Sequence, residues 1–428
     1  MSSLFRTKSV ADIQANLDDA AASHGGGLKR TLSAFDLVML GIGAVIGAGI
    51  FSTLGTAAVG EPGVRLGAGP ALVLSFVLLG VVCALAGLCY AELTAMIPIA
   101  GSAYTYAYAT LGELVAWIIG WDLILEYALA TATVAVGWSR YFGRGLEIIG
   151  LELPETLMKA PADGGLVNLP AVLVVMLLSI LLAVGVKESA RFNSGIVFIK
   201  LFTLAVFIGV AAGKVEPANW TPFMPFGWDG VMTGAAVIFF AYIGFDAIST
   251  AAEETKDPQR NLPIGILGGL AICTVIYVIV GVVLTGMVPY KELAVADPLA
   301  RALEMAGFKT VGWFVALGAA VSMSAVLLVF QYGQPRIFFA MARDGLLPKW
   351  AAHLNPVTRI PSTTTIITGV FVASWALVGD AAETYDLTNI GTLFAFMLVS
   401  IGVLVLRYLE PERPRPFRVP FVWPVCLL

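Results

Sequence analysis

The chain has 428 residues, of which 58% are hydrophobic and 13% charged, with a mean hydropathy of +0.88. Soluble domains carry about 25% charged residues, so composition excludes a soluble globular protein, and the formal net charge of −4 without a basic block argues against nucleic acid as a partner. The chain reads as an all-α polytopic protein of the lipid bilayer.

Residues 1–35 form a polar tail with Arg6, Lys8, Asp12, Asp18, Asp19 and a run of three glycines from Gly25, without the apolar core of a cleavable signal. The first apolar segment, about 36–57, contains Gly41, Gly43, Gly47 and Gly49 within nine residues. Each glycine costs a helix about 1 kcal/mol relative to alanine, so this span is expected to break. Lipid offers no partner to unpaired N–H and C=O groups, so a break at membrane depth is buried in protein or lines a watery cavity. Broken helices of this kind hold the cargo of membrane transport proteins. A small-xxx-small packing face at Gly43 and Gly47 is the plainer alternative, and it leaves Gly41 and Gly49 unexplained. A nucleotide-binding reading of these glycines lacks both the spacing and the strand-to-helix context.

Further apolar segments follow at about 70–97, 112–139, 168–186, 194–213, 229–252, 262–288, 309–340, 361–379 and 385–407, against a spanning length of about 20 residues. An eleventh begins near Pro420. With a cytoplasmic N-terminus, sixteen Lys and Arg residues fall on inner segments, among them Lys29, Lys187 and Arg359. Eight fall outside: Arg65, Arg140, Arg144, Lys159, Lys214, Lys291, Arg301 and Lys309. That bias follows the positive-inside rule and supports an even number of complete spans.

Ten spans divide into two fives, 36–213 and 229–407, followed by a basic segment and the start of an incomplete eleventh helix in 408–428. The first span of the second half is also interrupted, with Gly244 and Asp246 in its middle and Ser249 and Thr250 behind them. Breaks at the first position of each half are what an inverted five-helix repeat predicts, with a site near the midplane. The four cysteines (Cys83, Cys89, Cys273, Cys426) lie in apolar segments without metal-ligand spacing and read as packing residues. No nucleophile–base set, metal spacing or phosphate loop points to an enzyme or a cofactor.

Six stretches together resemble the amino acid–polyamine–organocation superfamily, and within it the bacterial cationic amino acid transporters: Gly41-Ile-Gly-Ala-Val-Ile-Gly-Ala-Gly-Ile-Phe51, Phe240-Ala-Tyr-Ile-Gly-Phe-Asp-Ala-Ile-Ser-Thr-Ala-Ala-Glu-Glu254, Asn261-Leu-Pro-Ile-Gly265, Gly333-Gln-Pro-Arg336, Ala342-Arg-Asp-Gly-Leu-Leu-Pro348 and Arg415-Pro-Phe-Arg-Val-Pro420. The resemblance covers about residues 28–420. It implies the five-plus-five inverted-repeat fold of the leucine transporter, with broken helices 1 and 6, and uptake of L-amino acids across a bacterial inner membrane. Family members carry twelve spans, so the resemblance also implies a chain cut short or a last segment held at the interface. A small membrane-protein subunit is a candidate partner. The competing expectation is a sensor or scaffold that keeps the fold without turnover.

An α-amino acid needs donors and acceptors close together. The resemblance places substrate contacts at the two breaks: N–H groups at Ile46, Gly47, Ala48 and Gly49 for the carboxylate, and carbonyls of Phe240, Ala241 and Ile243 for the ammonium. Phe240, Phe245 and Met323 are the candidate side-chain wall. Among ionisable groups within spans, which normally face a cavity or a partner, Asp122 and Glu126 share a helix face. The resemblance puts Glu126 beside the transport path, as a proton-binding or substrate-contacting group. Asp246 reads as a cap on the half-helix after its break, and Glu253 and Glu254 as partners of basic loop residues. Lys200, roughly 9 Å along the axis from Ser194, either snorkels to the surface or, as the family pattern implies, replaces the sodium ion of sodium-coupled relatives. Proton coupling through Lys200 or Glu126 then follows. The two histidines, His24 and His353, lie outside the spans.

Overall fold

The computed structural model describes residues 6–8, 30–99, 101–148, 150–161, 164–184, 190–295, 297–355, 360–378 and 381–427. Lys29, Lys187 and Arg359 of the charge bias, and most of the 1–35 tail, lie outside the described residues. Ser33 opens the first helix, α1 (Ala34–Val45), with a reciprocal capping box. Its hydroxyl accepts from the Asp36 N–H and its own N–H donates to the Asp36 carboxylate at 2.8 Å. After a 42° bend comes α2 (Ala48–Val59). Then follow α3 (Leu72–Met96), a short α4 (Ser102–Thr110), α5 (Glu113–Ile148), α6 (Leu169–Val184) and α7 (Ala190–Ala211). The second half begins with α8 (Gly227–Ile238), which runs through two 3₁₀ segments to Glu254. It continues with α9 (Pro258–Met287), α10 (Pro298–Met305), α11 (Lys309–Arg343), α12 (Ser362–Val378), α13 (Ala381–Leu409) and α14 (Val422–Leu427).

Among the described residues seven helices are long and apolar enough to cross a membrane, and the bent α1–α2 pair brings the number to eight if it forms one span. The apolar helices α6 and α12, of 16 and 17 residues, occupy two more expected segments. Each of the ten predicted segments is therefore helical over most of its described residues. The sequence reading missed α4, a nine-residue helix marked off by Gly101 and Gly112.

The two longest helices, α5 and α11, pack on each other through the centre, and α9 packs against α1 and α3. Glycines set how closely these helices approach: a Cβ on Gly318 of α11 would lie 2.1 Å from the Thr203 hydroxyl of α7. On the side reached by the α2 end, a two-residue hairpin (β1 Gly60–Glu61, β2 Arg65–Leu66) carries Arg65, whose guanidinium makes two bonds to Asp386 of α13 at 3.2 and 3.1 Å. Nearby, Arg144 of α5 pairs with Glu304 of α10 and with Asp297 at 3.4 Å. On the opposite side, Lys8 pairs with Asp344 at 2.9 Å, and the Tyr104 hydroxyl donates to the same carboxylate at 2.8 Å. Fully buried Glu92 of α3 receives Arg407, Arg415 and the Val419 N–H, which fastens the last basic segment to the second span.

Candidate functional site

The first break begins where α1 ends. Ile46 turns extended (ψ 98°), and Gly47 takes φ −148°, ψ −142° before α2 starts. The helix-end carbonyls this exposes do not stay empty. The Lys200 ammonium, fully buried on α7, donates to Gly43 O at 2.7 Å and Ile46 O at 2.9 Å. A cation at a helix C-terminus also meets the negative end of the helix dipole. The buried position excludes snorkelling in this conformation.

The second break follows the same logic with different parts. The 3₁₀ segment Phe239–Tyr242 leads into extended Ile243 (ψ 137°) and Gly244 (φ 113°), and a further 3₁₀ segment runs Phe245–Glu254. Gly244 supplies the positive φ that other residues resist. The two breaks touch backbone to backbone: a Cβ on Gly49 would lie 2.2 Å from Ala241 Cα. The Tyr277 hydroxyl of α9 bridges them, 3.0 Å from Val45 O and 2.9 Å from Ala241 O. One phenolic proton serves both carbonyls.

A cavity of about 10 Å³, room for one water molecule, lies between the breaks. Gly47, Ala48, Gly49, Phe240 and Ile243 line it, joined by Val134 of α5 and Val326 and Phe330 of α11. The first N–H groups of α2 have no partner inside their own helix, and Ala48 and Gly49, which carry two of them, line this wall. The remaining predicted contacts sit elsewhere. The Ile46 N–H donates to Ile42 O at 3.0 Å and its carbonyl belongs to Lys200, and the Ala241 carbonyl is shared with Tyr277 rather than unpaired. The Phe240 carbonyl accepts the Ile243 N–H at 3.4 Å. Phe245 packs away from the cavity, against Phe396 at 4.9 Å and Tyr90 at 5.6 Å, because Gly244 turns it outward. Met323 lies one helical turn from Val326, with its sulfur at the Gly137 surface beside Ala48.

Beyond the cavity wall lies a group of acids, of which Asp246 and Glu126 are buried and Asp122 is partly buried. The Phe330 ring meets Tyr127 edge-on at 5.2 Å, and the Tyr127 hydroxyl donates to Asp246 Oδ2 at 3.2 Å. Ser102 donates to the same oxygen at 3.4 Å. Asp246 thus ties the second half-helix to α4 and α5, and Gly244 occupies the cap position assigned to it from sequence. Glu126, one residue before Tyr127, is 2% exposed, and neither carboxylate oxygen has a hydrogen-bond partner. Asp122 lies on the same face. A Cβ on Gly391 of α13 would lie 3.0 Å from Asp122 Oδ1 and 3.7 Å from Glu126 Cβ. Glu254 faces Arg336 of α11 at 3.8 Å, a helix residue rather than the expected loop residue. Among the described residues no cluster of three or more His, Cys, Asp or Glu could hold a metal ion. Sequence reasoning missed Tyr277, Tyr127, Val326 and Phe330. A lone tyrosine such as Tyr277 amid aliphatic residues was the available signal, since its polar tip needs a partner at that depth.

Helices long enough to span a bilayer, with a small buried cavity at a bent pair of them, define a polytopic membrane transport protein. The chain belongs to the amino acid permease family, whose profile matches residues 32–428. It is 49% identical over 424 residues to the methylthioribose transporter of Bacillus subtilis (strain 168), covering 99% of this chain and 89% of that protein. It is 47% identical over 425 residues to the branched-chain amino acid permease BcaP of the same organism, covering 98% and 89%. A vacuolar cationic amino acid transporter 4 of Arabidopsis thaliana is 39% identical, covering 96% of this chain and 68% of the relative. These relatives are transporters and permeases, so the family carries transport rather than enzymatic chemistry.

Proposed function

We propose that this permease imports neutral L-amino acids into a bacterial cell across the inner membrane, driven by protons, with its N-terminus in the cytoplasm. The observation that carries this reading is the meeting of the α2 N-terminus at Gly47, Ala48 and Gly49 with the Phe240–Ile243 segment on one buried cavity. The N–H groups left unpaired within α2 and the positive helix end suit a carboxylate, and the Ile243 carbonyl, with the second lone pair of the Phe240 carbonyl, suits an ammonium. Val134, Val326 and Phe330 give the rest of the wall an apolar character that suits an uncharged side chain. A one-water volume requires the breaks to move apart before any amino acid enters. That supports alternating access, with the 36–213 and 229–407 halves as moving parts. Lys200 serves as a built-in cation holding the first break, and Glu126 as the group that takes up and releases the coupling proton.

Thermal unfolding of purified protein against the individual amino acids tests this, because ligands that bind the folded state raise its midpoint. Neutral apolar amino acids should raise it and Arg or Lys should not. Gly47→Val should abolish the shift, since its Cβ would sit 2.8 Å from Val326 Cγ2. A shift retained in that variant would move the site elsewhere. A cysteine introduced in the 140–165 loop should react with an impermeant thiol reagent outside the cell, and one in the 253–262 loop should not. The reverse labelling overturns the orientation.

A further inference from the structure

A second concavity opens on the outer surface of the helix assembly, between α5, α11 and α12, with a volume of about 480 Å³. Trp121 and Leu125 of α5, Phe338 of α11, Ile367 and Phe371 of α12, and Trp350 just beyond α11 form its walls. Its two polar residues are engaged with protein: Gln334 Nε2 donates to Ile124 O at 2.8 Å, and Thr368 Oγ1 donates to Thr365 O at 3.0 Å. Gln334 Oε1 is covered and meets no donor. A polar ligand therefore gains little here, and a hydrocarbon fits the lining.

Size separates the hydrocarbon occupants. A helix with side chains is about 10–12 Å across and rises about 5.4 Å per turn, so 480 Å³ holds roughly one helical turn. A partner's transmembrane helix does not fit, whereas a single extended chain does. A charge adjoins the lining in sequence. Exposed Lys349 lies between the groove residues Pro348 and Trp350, the Lys and Trp pairing found where a membrane protein meets the headgroup layer.

We propose that this groove retains one anionic phospholipid, with an acyl chain along Trp121, Phe338 and Phe371 and the phosphate at Lys349. The lipid would act as a spacer between α5 and α12. Trp121 and Leu125 flank Asp122 and precede Glu126 on α5, so the occupied groove would fix the helix that carries these two acids.

Delipidated protein in detergent, titrated with phosphatidylglycerol or with phosphatidylcholine of the same chains, tests the proposal. Bound lipid is counted by native mass spectrometry and its effect read as the unfolding midpoint. Wild type should take up one phosphatidylglycerol with about a fivefold preference over phosphatidylcholine, the factor expected from one lysine beside an anionic headgroup. Lys349→Glu should bind both lipids equally. Leu125→Trp, which fills the groove from an exposed position, should lose the bound lipid and keep the midpoint that wild type shows in detergent alone. Equal binding of the two lipids by wild type overturns the assignment of Lys349. Unchanged occupancy in Leu125→Trp overturns the groove itself, as does a single-span protein that copurifies with wild type and is lost from that variant.

Discussion

Lys200 and Glu126 are both buried charges on membrane-spanning helices, yet they are treated in opposite ways. Lys200 donates to two backbone carbonyls that the first break would otherwise strand. Glu126 has both oxygens covered and neither one bonded. A bonded charge belongs to the architecture, and its removal strands the groups it served. A buried carboxylate without a bond is left for a ligand or an ion to complete. Under the proposed proton coupling the two charges divide the work: Lys200 holds the break in shape, and Glu126 changes state.

The largest expected effect is that of Lys200→Met. It leaves the Gly43 and Ile46 carbonyls without the ammonium, at about 1–3 kcal/mol each. The purified variant should unfold at a clearly lower temperature, and in liposomes with an inward proton gradient it should accumulate no substrate. Wild type should need no sodium. Accumulation at the normal level by the variant, or a sodium requirement in wild type, breaks the idea of a built-in cation. Glu126→Gln should do the reverse. It removes a charge that no bond holds, so the unfolding midpoint should stay the same or rise slightly, while gradient-driven accumulation disappears and substrate exchange continues. A variant that still accumulates removes Glu126 from the coupling role.

Asp297, in the loop before α10, sharpens the comparison because it is an acid with a partner. Partial burial pushes its pKa up to about 6, against the pull of Arg144 at 3.4 Å. An ordinary aspartate titrates near 3.9. Between those values the folded state binds more protons than the unfolded state, so the stability this group contributes is full below about pH 4 and lost as pH rises through 6. The wild-type midpoint should fall by a few degrees over that range, and Asp297→Asn should flatten the slope. An equal slope in the variant assigns the pH dependence to other groups.

Much of this was legible in the sequence, for identifiable reasons. Spans announce themselves by length, and the first break by glycines that no helix would collect without cause. Gly47, Ala48, Gly49, Phe240 and Ile243 do meet at one cavity. What stayed hidden is which face of each span looks inward. A helix that is apolar all round carries no such signal, so Val326 and Phe330 went unnoticed while Met323, a turn away, was chosen. Phe245 was misplaced because a single positive φ at Gly244 redirects everything after it. Tyr277 was missed because its role depends on two chain segments that come together only in the folded protein.

Glu92 bears on the order in which the protein is made. Its partner Arg407 lies 315 residues further along the chain. At about 5–20 residues per second, the ribosome needs roughly 15–60 s to supply that arginine, and longer to reach Arg415 and Val419. Until then the second span holds a carboxylate with nothing to close on. The early helices are therefore unlocked until residues 407–419 have emerged, more than 300 residues after Glu92 itself.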